Sequence, residues 1–263
     1  MRGWVHFTGA GPGDPELLTL RARRRIDAAD LVLYDRLVGA RIIATLPAGR
    51  AEPAHDRDGS RAGGQDRLHA RMVEAARSGQ CVVRLQGGDP AVFGRLGEEI
   101  AHLRRHRVPF EVVPGVTAAT AAAAALGAPL TRRGFASGVT LVTGHEATGW
   151  QAGHDWRALA RSEQTLAFYM AGGGASAIAT ALVDQGMDAA TPFAAVERAT
   201  WDDERVRRMT VGEAAEADRG GWVRTPAIVL IGRALGTVPA AGMAEPPPTT
   251  GVARACAGQA GDV

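Results

Sequence analysis

Apolar runs of strand length alternate with amphipathic stretches of helix length in the first half of the chain. The first run, Trp4 to Thr8, ends at the glycine-rich segment 9–13. Asp14 follows and is typical of a helix N-cap, with a proline and an acidic residue next in the chain. The pattern predicts a helix over residues 15–29 and a short buried strand over Leu31 to Tyr34. A strand, a helix and a second strand therefore open the protein.

The same alternation continues beyond this first unit. Because strands that alternate with helices form mostly parallel sheets, the first half predicts such a sheet with helices packed on it. The Pro114-Gly115 pair ends this half, and Thr117 is placed to cap the alanine-rich helix that follows. The predicted elements are a helix over Gln65 to Arg77, a strand over Cys81 to Leu85, a helix over Gly97 to Arg105, a strand over Phe110 to Val113 and a helix over Ala118 to Leu126.

The second half predicts another α/β layer, in which Ala175 to Gln185 is the clearest helix. From about Pro239 the sequence is rich in Ala, Gly, Pro and Thr and lacks apolar periodicity, which is typical of a disordered tail. We therefore expect two α/β domains, over residues 1–114 and 115–238, and a disordered tail over residues 239–263. The strands predicted in this half are Val139 to Thr143, Thr165 to Met170, Pro192 to Val196 and Ala227 to Ile231.

The overall charge excludes one class of partner. Hydrophobic residues make up 46% and charged residues 22% of the 263 residues, which is typical of a globular enzyme. The net charge of +2 comes from 30 basic and 28 acidic residues, so no excess positive field favours nucleic-acid binding. All basic residues are arginines, whose planar side chains suit carboxylate recognition, although genome composition explains this bias as well.

The cysteines and the apolar segments indicate the compartment. Cys81 and Cys256 are the only two cysteines, so neither a disulfide framework nor a cysteine-based metal site is supported. The sequence shows no apolar signal segment and no stretch long enough to span a bilayer. We expect a cytoplasmic protein without a membrane partner and without a metal.

The glycines of the segment from Gly9 to Asp14 superficially match a dinucleotide-binding fingerprint, with an acidic residue about twenty positions further on. The spacing differs, because the third glycine falls one position early. Pro12 also lacks an N–H where a phosphate-binding loop needs backbone donors. A tight turn that allows close packing explains the glycines as well, so a dinucleotide-dependent oxidoreductase is kept only as an alternative.

The segment from Gly87 to Glu99 is more specific. It places two glycines and Asp89 directly after a predicted strand, at the end of the strand where α/β sheets bind ligands. Gly87 and Gly88 would let a bulky ligand approach the backbone, and Asp89 could accept hydrogen bonds from it. The alternative role of Asp89 is that of a turn former or helix cap. We expect a ligand at this turn.

Six segments of the chain occur in a characteristic order. They are Gly9 to Asp14, Val32 to Leu37, Gly87 to Glu99, Val112 to Ala118, Pro129 to Gly134 and Phe168 to Met170. In this order they resemble the uroporphyrinogen-III C-methyltransferases of the tetrapyrrole methylase family, over about Val5 to Leu235. The resemblance implies two α/β domains with S-adenosylmethionine in the cleft between them, a homodimeric state, and C-methylation of uroporphyrinogen III to precorrin-2 on the branch to sirohaem and cobalamin.

The resemblance also implies which residues contact the cofactor. Several of these contacts would be made by the backbone, which suits a ligand with an adenine, a ribose diol and an amino-acid end but no polyphosphate. Met170, taken without the family, would be a core residue, as methionines commonly are. The implied cofactor contacts are Pro12, Gly87, Gly88, Asp89, Val92, Thr117, Ala118, Met170 and Ala199.

The acceptor calls for cations, because uroporphyrinogen carries an acetate and a propionate on every pyrrole ring. The resemblance implies that Arg95 and Arg133 bind these carboxylates. Glu98, a candidate catalytic residue, follows Arg95 by one helical turn and could face the same pocket, or it could simply be an acidic residue in the first turn of a helix. Asp35 is implied as a proton acceptor, with turn capping as its alternative role. The reaction is an SN2 attack by a pyrrole carbon on a sulfonium methyl group, so positioning and water exclusion dominate.

The chain departs from the family where a Gly-Lys-Arg segment normally supplies a lysine as proton donor. The sequence contains no lysine. Arg57 matches the family's arginine and is a candidate catalytic residue, while Asp56 stands in the lysine position. His55 could titrate near neutral pH or be a solvated loop residue.

Two smaller departures are Leu96 in place of a glycine and Arg132 in place of a histidine. Together with the missing lysine, these changes leave open a paralogue that acts on a related precorrin or on a denitrification haem precursor. The missing lysine also leaves open a non-catalytic protein that binds S-adenosylmethionine.

Overall fold

A computed structural model of the protein describes residues 3–54, 64–144, 153–217 and 221–236. Their strands form two separate sheets of five strands each. The strands of the first sheet are β1 (Trp4–Gly9), β2 (Leu31–Tyr34), β3 (Ala51–Pro53), β4 (Cys81–Gln86) and β5 (Phe110–Val113). Their spatial order is β3-β2-β4-β1-β5, and every pairing in this sheet is parallel, as the sequence predicts.

Four α-helices accompany this first sheet within the described residues: α1 (Leu20–Asp27), α2 (Ala40–Ile43), α3 (Gly64–Arg77) and α4 (Leu96–Arg105). The helix predicted over residues 15–29 is wrong in one respect, since it is divided. Asp14 does act as an N-cap, but of a single 3₁₀ turn over Pro15–Leu17, where it accepts a 3.0 Å hydrogen bond from the Glu16 amide. Thr19 then caps α1 by accepting a bond from Ala22. A second cap so close to the first explains the break.

The second sheet is mixed. Its strands are β6 (Val139–Thr143), β7 (Thr165–Tyr169), β8 (Pro192–Glu197), β9 (Arg205–Thr210) and β10 (Ala227–Ile231), in the order β6-β7-β10-β8-β9. Only β6 and β7 pair in parallel, and the other pairings are antiparallel. The apolar pattern does not predict β9, because Val206 and Met209 are its only large apolar residues and its three arginines leave no regular alternation.

Helices cover both faces of this second sheet. The helix α5 (Ala118–Leu126) packs its alanines against one face, together with Tyr169 and Leu230. The opposite face forms a second core with residues of α6 (Trp156–Arg161), α7 (Ala175–Asp184) and α8 (Val211–Glu216). The mixed α/β class predicted from the sequence is confirmed.

Several predictions concern residues that the structure does not describe. Arg57, the other residues of its loop and the tail over residues 239–263 lie outside them, and the domain bounds remain a prediction. None of the helices that the structure describes combines the length and the apolar character needed to cross a membrane. Within the same ranges, no cluster of His, Cys, Asp and Glu side chains could hold a metal ion.

Candidate functional site

Two glycine turns meet at the carboxyl ends of β1 and β4: the first covers residues 9–13 and the second residues 87–89. The Gly11 amide donates to the Gly88 carbonyl at 3.1 Å, and the Gly88 amide donates back to the Gly11 carbonyl at 2.7 Å. A Cβ on Gly9 would lie 2.6 Å from Gly115 Cα and from the Gly88 oxygen. Glycine is therefore required where these segments cross, as the close-packing interpretation of the first glycine segment expects.

Asp89 ties the second turn to the segment that follows β5. One carboxylate oxygen accepts from the Ala91 amide at 2.8 Å, and the other accepts from the Gly115 amide at 3.0 Å. The turn-forming role of Asp89 is thus present. Each oxygen can accept a second hydrogen bond, so the role in ligand binding remains a prediction.

Gly88 leaves open space beside this turn. It has a φ of +70°, which favours glycine, and the nearest atom to a Cβ built on it is the Ala118 amide nitrogen, 3.9 Å away. Gly87 is crowded instead, because a Cβ there would meet Leu37 at 2.7 Å. Val92, in the same segment as Gly88, and Thr117, next to Ala118, are half-buried. A ligand could therefore approach the backbone at Gly88.

Tyr169, at the end of β7, contacts the start of α5. Its hydroxyl lies 2.5 Å from Thr117 Oγ1 and accepts from the Ala119 amide at 3.2 Å, while the Phe93 ring packs 5.0 Å from its ring. Thr117 occupies the N-cap position of α5, as predicted, but its hydroxyl bonds Tyr169 and makes no side-chain cap. The interpretation of Met170 as a core residue is wrong: β7 ends before it, and it is 46% exposed with a φ of +55°.

A loop between β8 and β9 closes over the first glycine turn. Trp201 Nε1 donates to the Pro12 carbonyl at 2.8 Å, and the Asp14 amide donates to Thr200 Oγ1 at 3.1 Å. Pro12 and the predicted cofactor contact Ala199 are both buried in this region. Sequence reasoning missed Trp201 and Thr200. No local pattern indicates them, because their partners lie almost two hundred positions away in the chain.

Asp35 begins the turn after β2, beside the second glycine turn. Its Oδ1 accepts from the Leu37 amide at 2.9 Å and from the Gly87 amide at 3.3 Å. Its Oδ2 lies 4.0 Å from Nη2 of Arg84. The turn-capping role is therefore present, and the same contacts fix the carboxylate next to Gly87.

Arg95 and Glu98 form an exposed ion pair, with Nη2 of the arginine 2.6 Å from Oε2 of the glutamate. The hydrogen bond from Arg95 lowers the pKa of Glu98, and the same bond raises the pKa of Arg95. Arg95 has a φ of +56° and immediately precedes α4. Arg133 is exposed in a turn whose ends, Arg132 and Ala136, are paired. A ligand carboxylate that binds Arg95 has to displace the carboxylate of Glu98. Arg133 is exposed to solvent.

Sequence reasoning also missed a buried polar group behind Asp35. Nε of Arg84 lies 3.3 Å from Oε1 of Glu99, and both side chains are at most 4% exposed. Burial raises the pKa of Glu99, against the opposing effect of Arg84. A weak signal for this group is present in the sequence, since Arg84 interrupts an apolar strand and a buried charge requires a partner.

The model of the family described as tetrapyrrole (corrin/porphyrin) methylases matches residues 5–215. A uroporphyrinogen-III C-methyltransferase of Pseudomonas aeruginosa is 45% identical over 233 residues, which are 88% of this chain and 94% of that protein. A siroheme synthase of Chromobacterium violaceum is 43% identical over 237 residues, and the chain spans 49% of its length.

Solved structures are similar as well. A uroporphyrin-III C-methyltransferase of Thermus thermophilus in complex with S-adenosylhomocysteine aligns with a TM-score of 0.75 and 42% identity, over 89% of this chain and 93% of that one. A cobalt precorrin-4 methyltransferase aligns with a TM-score of 0.79 and 32% identity, over 89% of this chain and 96% of that one.

Proposed function

The chain belongs to the tetrapyrrole methylase family, and on this premise we propose that it transfers methyl groups from S-adenosylmethionine to carbon atoms of uroporphyrinogen III, giving precorrin-2. The observation on which the proposal depends most is the pair of interlocked glycine turns at the ends of β1 and β4, with open space at Gly88. The relative with 94% of its length covered is named for this activity, and the relative solved with S-adenosylhomocysteine supports the methyl donor.

The donor set of the site fits S-adenosylmethionine better than a dinucleotide. A pyrophosphate needs several backbone amides directed at it. In the first glycine segment the Gly11 amide already bonds Gly88, Pro12 has no N–H, and the Asp14 amide already bonds Thr200. The space at Gly88, the exposed Met170 and the carboxylate of Asp89 suit a ligand without phosphates. This argues against the oxidoreductase alternative.

Two contacts support the cofactor residues predicted from the two halves of the chain. The amide nitrogen of Ala118 is the nearest atom to a Cβ built on Gly88, next to Gly87 and Asp89. Thr117 bonds Tyr169, the residue before Met170. Pro12 and Ala199 are buried where the loop after β8 closes over the first turn.

In the proposed reaction, residues of this chain bind the acceptor and take up a proton. When bound, S-adenosylmethionine supplies a methyl group on a positively charged sulfur. Arg133 and Arg95 would hold acceptor carboxylates, with Glu98 keeping Arg95 in place until the acceptor arrives. Asp35 would take the proton that the methylated macrocycle releases, and Arg57 remains a further catalytic candidate.

A second function is favoured by one observation, the similarity to a cobalt precorrin-4 methyltransferase. Together with the absence of lysine, it supports a methyltransferase that acts on a related precorrin. We also propose a cytoplasmic homodimer without nucleic-acid or membrane partners. The chain spans about half the length of the siroheme synthases that it matches, so any further activity of those proteins is not assigned to it.

The test is methyl transfer measured with freshly reduced uroporphyrinogen III and isotopically labelled S-adenosylmethionine, with products identified by mass spectrometry. We expect labelled precorrin-2. Transfer to another precorrin but not to uroporphyrinogen III would favour the second function. Tight binding of S-adenosylhomocysteine without transfer to any tetrapyrrole would identify a non-catalytic protein, and calorimetric binding of NAD(P) in its place would refute the family-based assignment of the site.

A further inference from the structure

A buried arginine lies beneath the turn that follows β2. The Arg84 side chain is 4% exposed, and Arg84 is the only buried arginine in the described part of the chain. Its Nη1 donates to the main-chain oxygens of Leu33 at 3.4 Å and Leu85 at 3.1 Å. These contacts anchor the guanidinium on β2 and β4, the two strands whose carboxyl ends lead to Asp35 and Gly87.

The other sides of the guanidinium face two carboxylates. Nε lies 3.3 Å from Oε1 of Glu99, and Nη2 lies 4.0 Å from Oδ2 of Asp35. Asp35 is 20% exposed at its side chain, whereas Glu99 is only 1% exposed. Glu99 therefore holds the arginine from the interior, and Asp35 meets it at the edge of the site.

Gln65 extends these contacts to the exposed ion pair before α4. Its Nε2 donates to Oε1 of Glu99 at 3.3 Å, and its Oε1 accepts from Nη1 of Arg95 at 3.5 Å. A continuous set of polar contacts thus connects Asp35 with Arg95. One end is the residue proposed to take a proton, and the other is a residue proposed to bind the acceptor.

On the basis of the proposed function, we propose that Arg84 and Glu99 are positioning residues: Arg84 holds the Asp35 carboxylate where it accepts the proton of the methylated tetrapyrrole, and Glu99 holds Arg84. Oδ1 of Asp35 already accepts from two main-chain amides, so Oδ2 receives the proton. An electron pair of the pyrrole forms the new carbon–carbon bond, and the carbon–sulfur pair stays on sulfur. A carbon–hydrogen bond of the methylated macrocycle then breaks, and its proton moves to Oδ2 of Asp35. The electron pair of that bond stays in the macrocycle, so the ring system is neutral again.

The test replaces the buried pair with apolar side chains of similar volume, in the double variant Arg84→Met with Glu99→Leu. Replacing both partners of a buried ion pair in this way is often tolerated by a fold, whereas removing one partner is not. We expect kcat to fall by about tenfold to a hundredfold, the effect of a misplaced catalytic group. KM for both substrates should stay within about twofold, because the pair does not contact either of them.

The same substitutions are then made in an Asp35→Asn background. If Arg84 acts through Asp35, they cause no further loss of kcat there, because the two effects are not additive. The matched control is Arg25→Met with Glu111→Leu. It removes a 2.7 Å ion pair between α1 and β5 that has no part in the proposed mechanism, and its kcat should equal that of the wild type.

A folded double variant with wild-type kcat would overturn the inference, and so would an equal loss of kcat in the Asp35→Asn background. If the double variant shows no cooperative melting, the single variant Arg84→Lys is used instead. Its kcat is compared with that of the wild type and again in the Asp35→Asn background. A wild-type protein that methylates no tetrapyrrole would refute the proposed function and this inference together. An active wild type matched in rate by Asp35→Asn would overturn the inference alone.

Discussion

Asp89 shows how one side chain serves the fold and the proposed site together. Its two oxygens join the second glycine turn to the segment after β5 through the amides of Ala91 and Gly115. An asparagine there keeps one acceptor but loses the charge and the second acceptor. We expect Asp89→Asn to weaken S-adenosylhomocysteine binding by about 1–3 kcal/mol, measured by calorimetry. Unchanged affinity in a folded variant would contradict the assignment of Asp89 to the cofactor site.

The matched control for this substitution is Asp188→Asn. Asp188 makes the same local hydrogen bond, from its Oδ1 to the amide two residues later at 2.9 Å, on an exposed turn of the second half. Its replacement makes the same change of charge beside a turn contact of the same type, without touching the glycine turns. S-adenosylhomocysteine should bind this variant as tightly as the wild type.

Arg133 and Arg95 should contribute unequally to acceptor binding. Arg133 is exposed in its turn, whereas Arg95 already pairs with Glu98 at 2.6 Å and has to exchange that partner. We expect Arg133→Ala to weaken uroporphyrinogen III binding by about tenfold to a hundredfold, as for a charge-assisted hydrogen bond, and Arg95→Ala to weaken it less. S-adenosylhomocysteine affinity should hardly change in either variant.

Titrations at two salt concentrations check this prediction, with Arg205→Ala on the exposed edge strand as the control. A loss that disappears at moderate salt would show that Arg133 acts only as a surface charge. Cofactor binding that falls as much as acceptor binding would place the arginines in the fold or in the cofactor site.

Among the helices and strands, the sequence predicts those whose signal is local and apolar. The pattern predicts the strands Phe110–Val113 and Ala227–Ile231 and the helix Ala118–Leu126 with their observed bounds. The edge strand β9 was missed because arginine alternates with apolar residues too irregularly. The contact between Trp201 and Pro12, and the group of Arg84 with Glu99, depend on how separate elements meet, and no local spacing encodes them.

The short helix α8 depends on its N-terminal cap. Thr210 Oγ1 accepts from the Glu213 amide at 3.2 Å, and the Glu213 side chain accepts from the Thr210 amide at 2.7 Å. We expect Thr210→Ala to lower the free energy of unfolding by about 1 kcal/mol in urea titrations, because the cap is lost. Thr210→Ser keeps the hydroxyl and should unfold close to the wild type. Equal destabilisation by both substitutions would instead indicate packing of the threonine methyl group.

For the whole molecule, histidine protonation should make stability fall on mild acidification. Burial lowers the pKa of His6, and it lowers the pKa of His69 and His102 as well. His102 lies between two other histidine rings, with centroids 4.7 Å and 4.4 Å away, so a charge on one ring further disfavours a charge on the next. The folded chain therefore resists protonation that the unfolded chain accepts near pH 6.5, the ordinary pKa of histidine.

The sign of the pH effect follows from these directions. As the pH falls through 6.5, the unfolded state binds more protons at the three histidines, so the free energy of unfolding decreases by roughly 1.4 kcal/mol per pH unit for each extra proton. Glu99 acts in the opposite direction, because its raised pKa lets the folded chain bind a proton above pH 4.5, where the unfolded chain has lost it.

We expect the three histidines to prevail, so that urea unfolding shows lower stability at pH 5.5 than at pH 7.5. His102→Gln removes one titrating ring and relieves its neighbours, and its stability should change less between the two pH values. A wild type equally stable at both, or a His102→Gln variant with the same pH dependence, would show that these rings do not control the acid sensitivity of the fold.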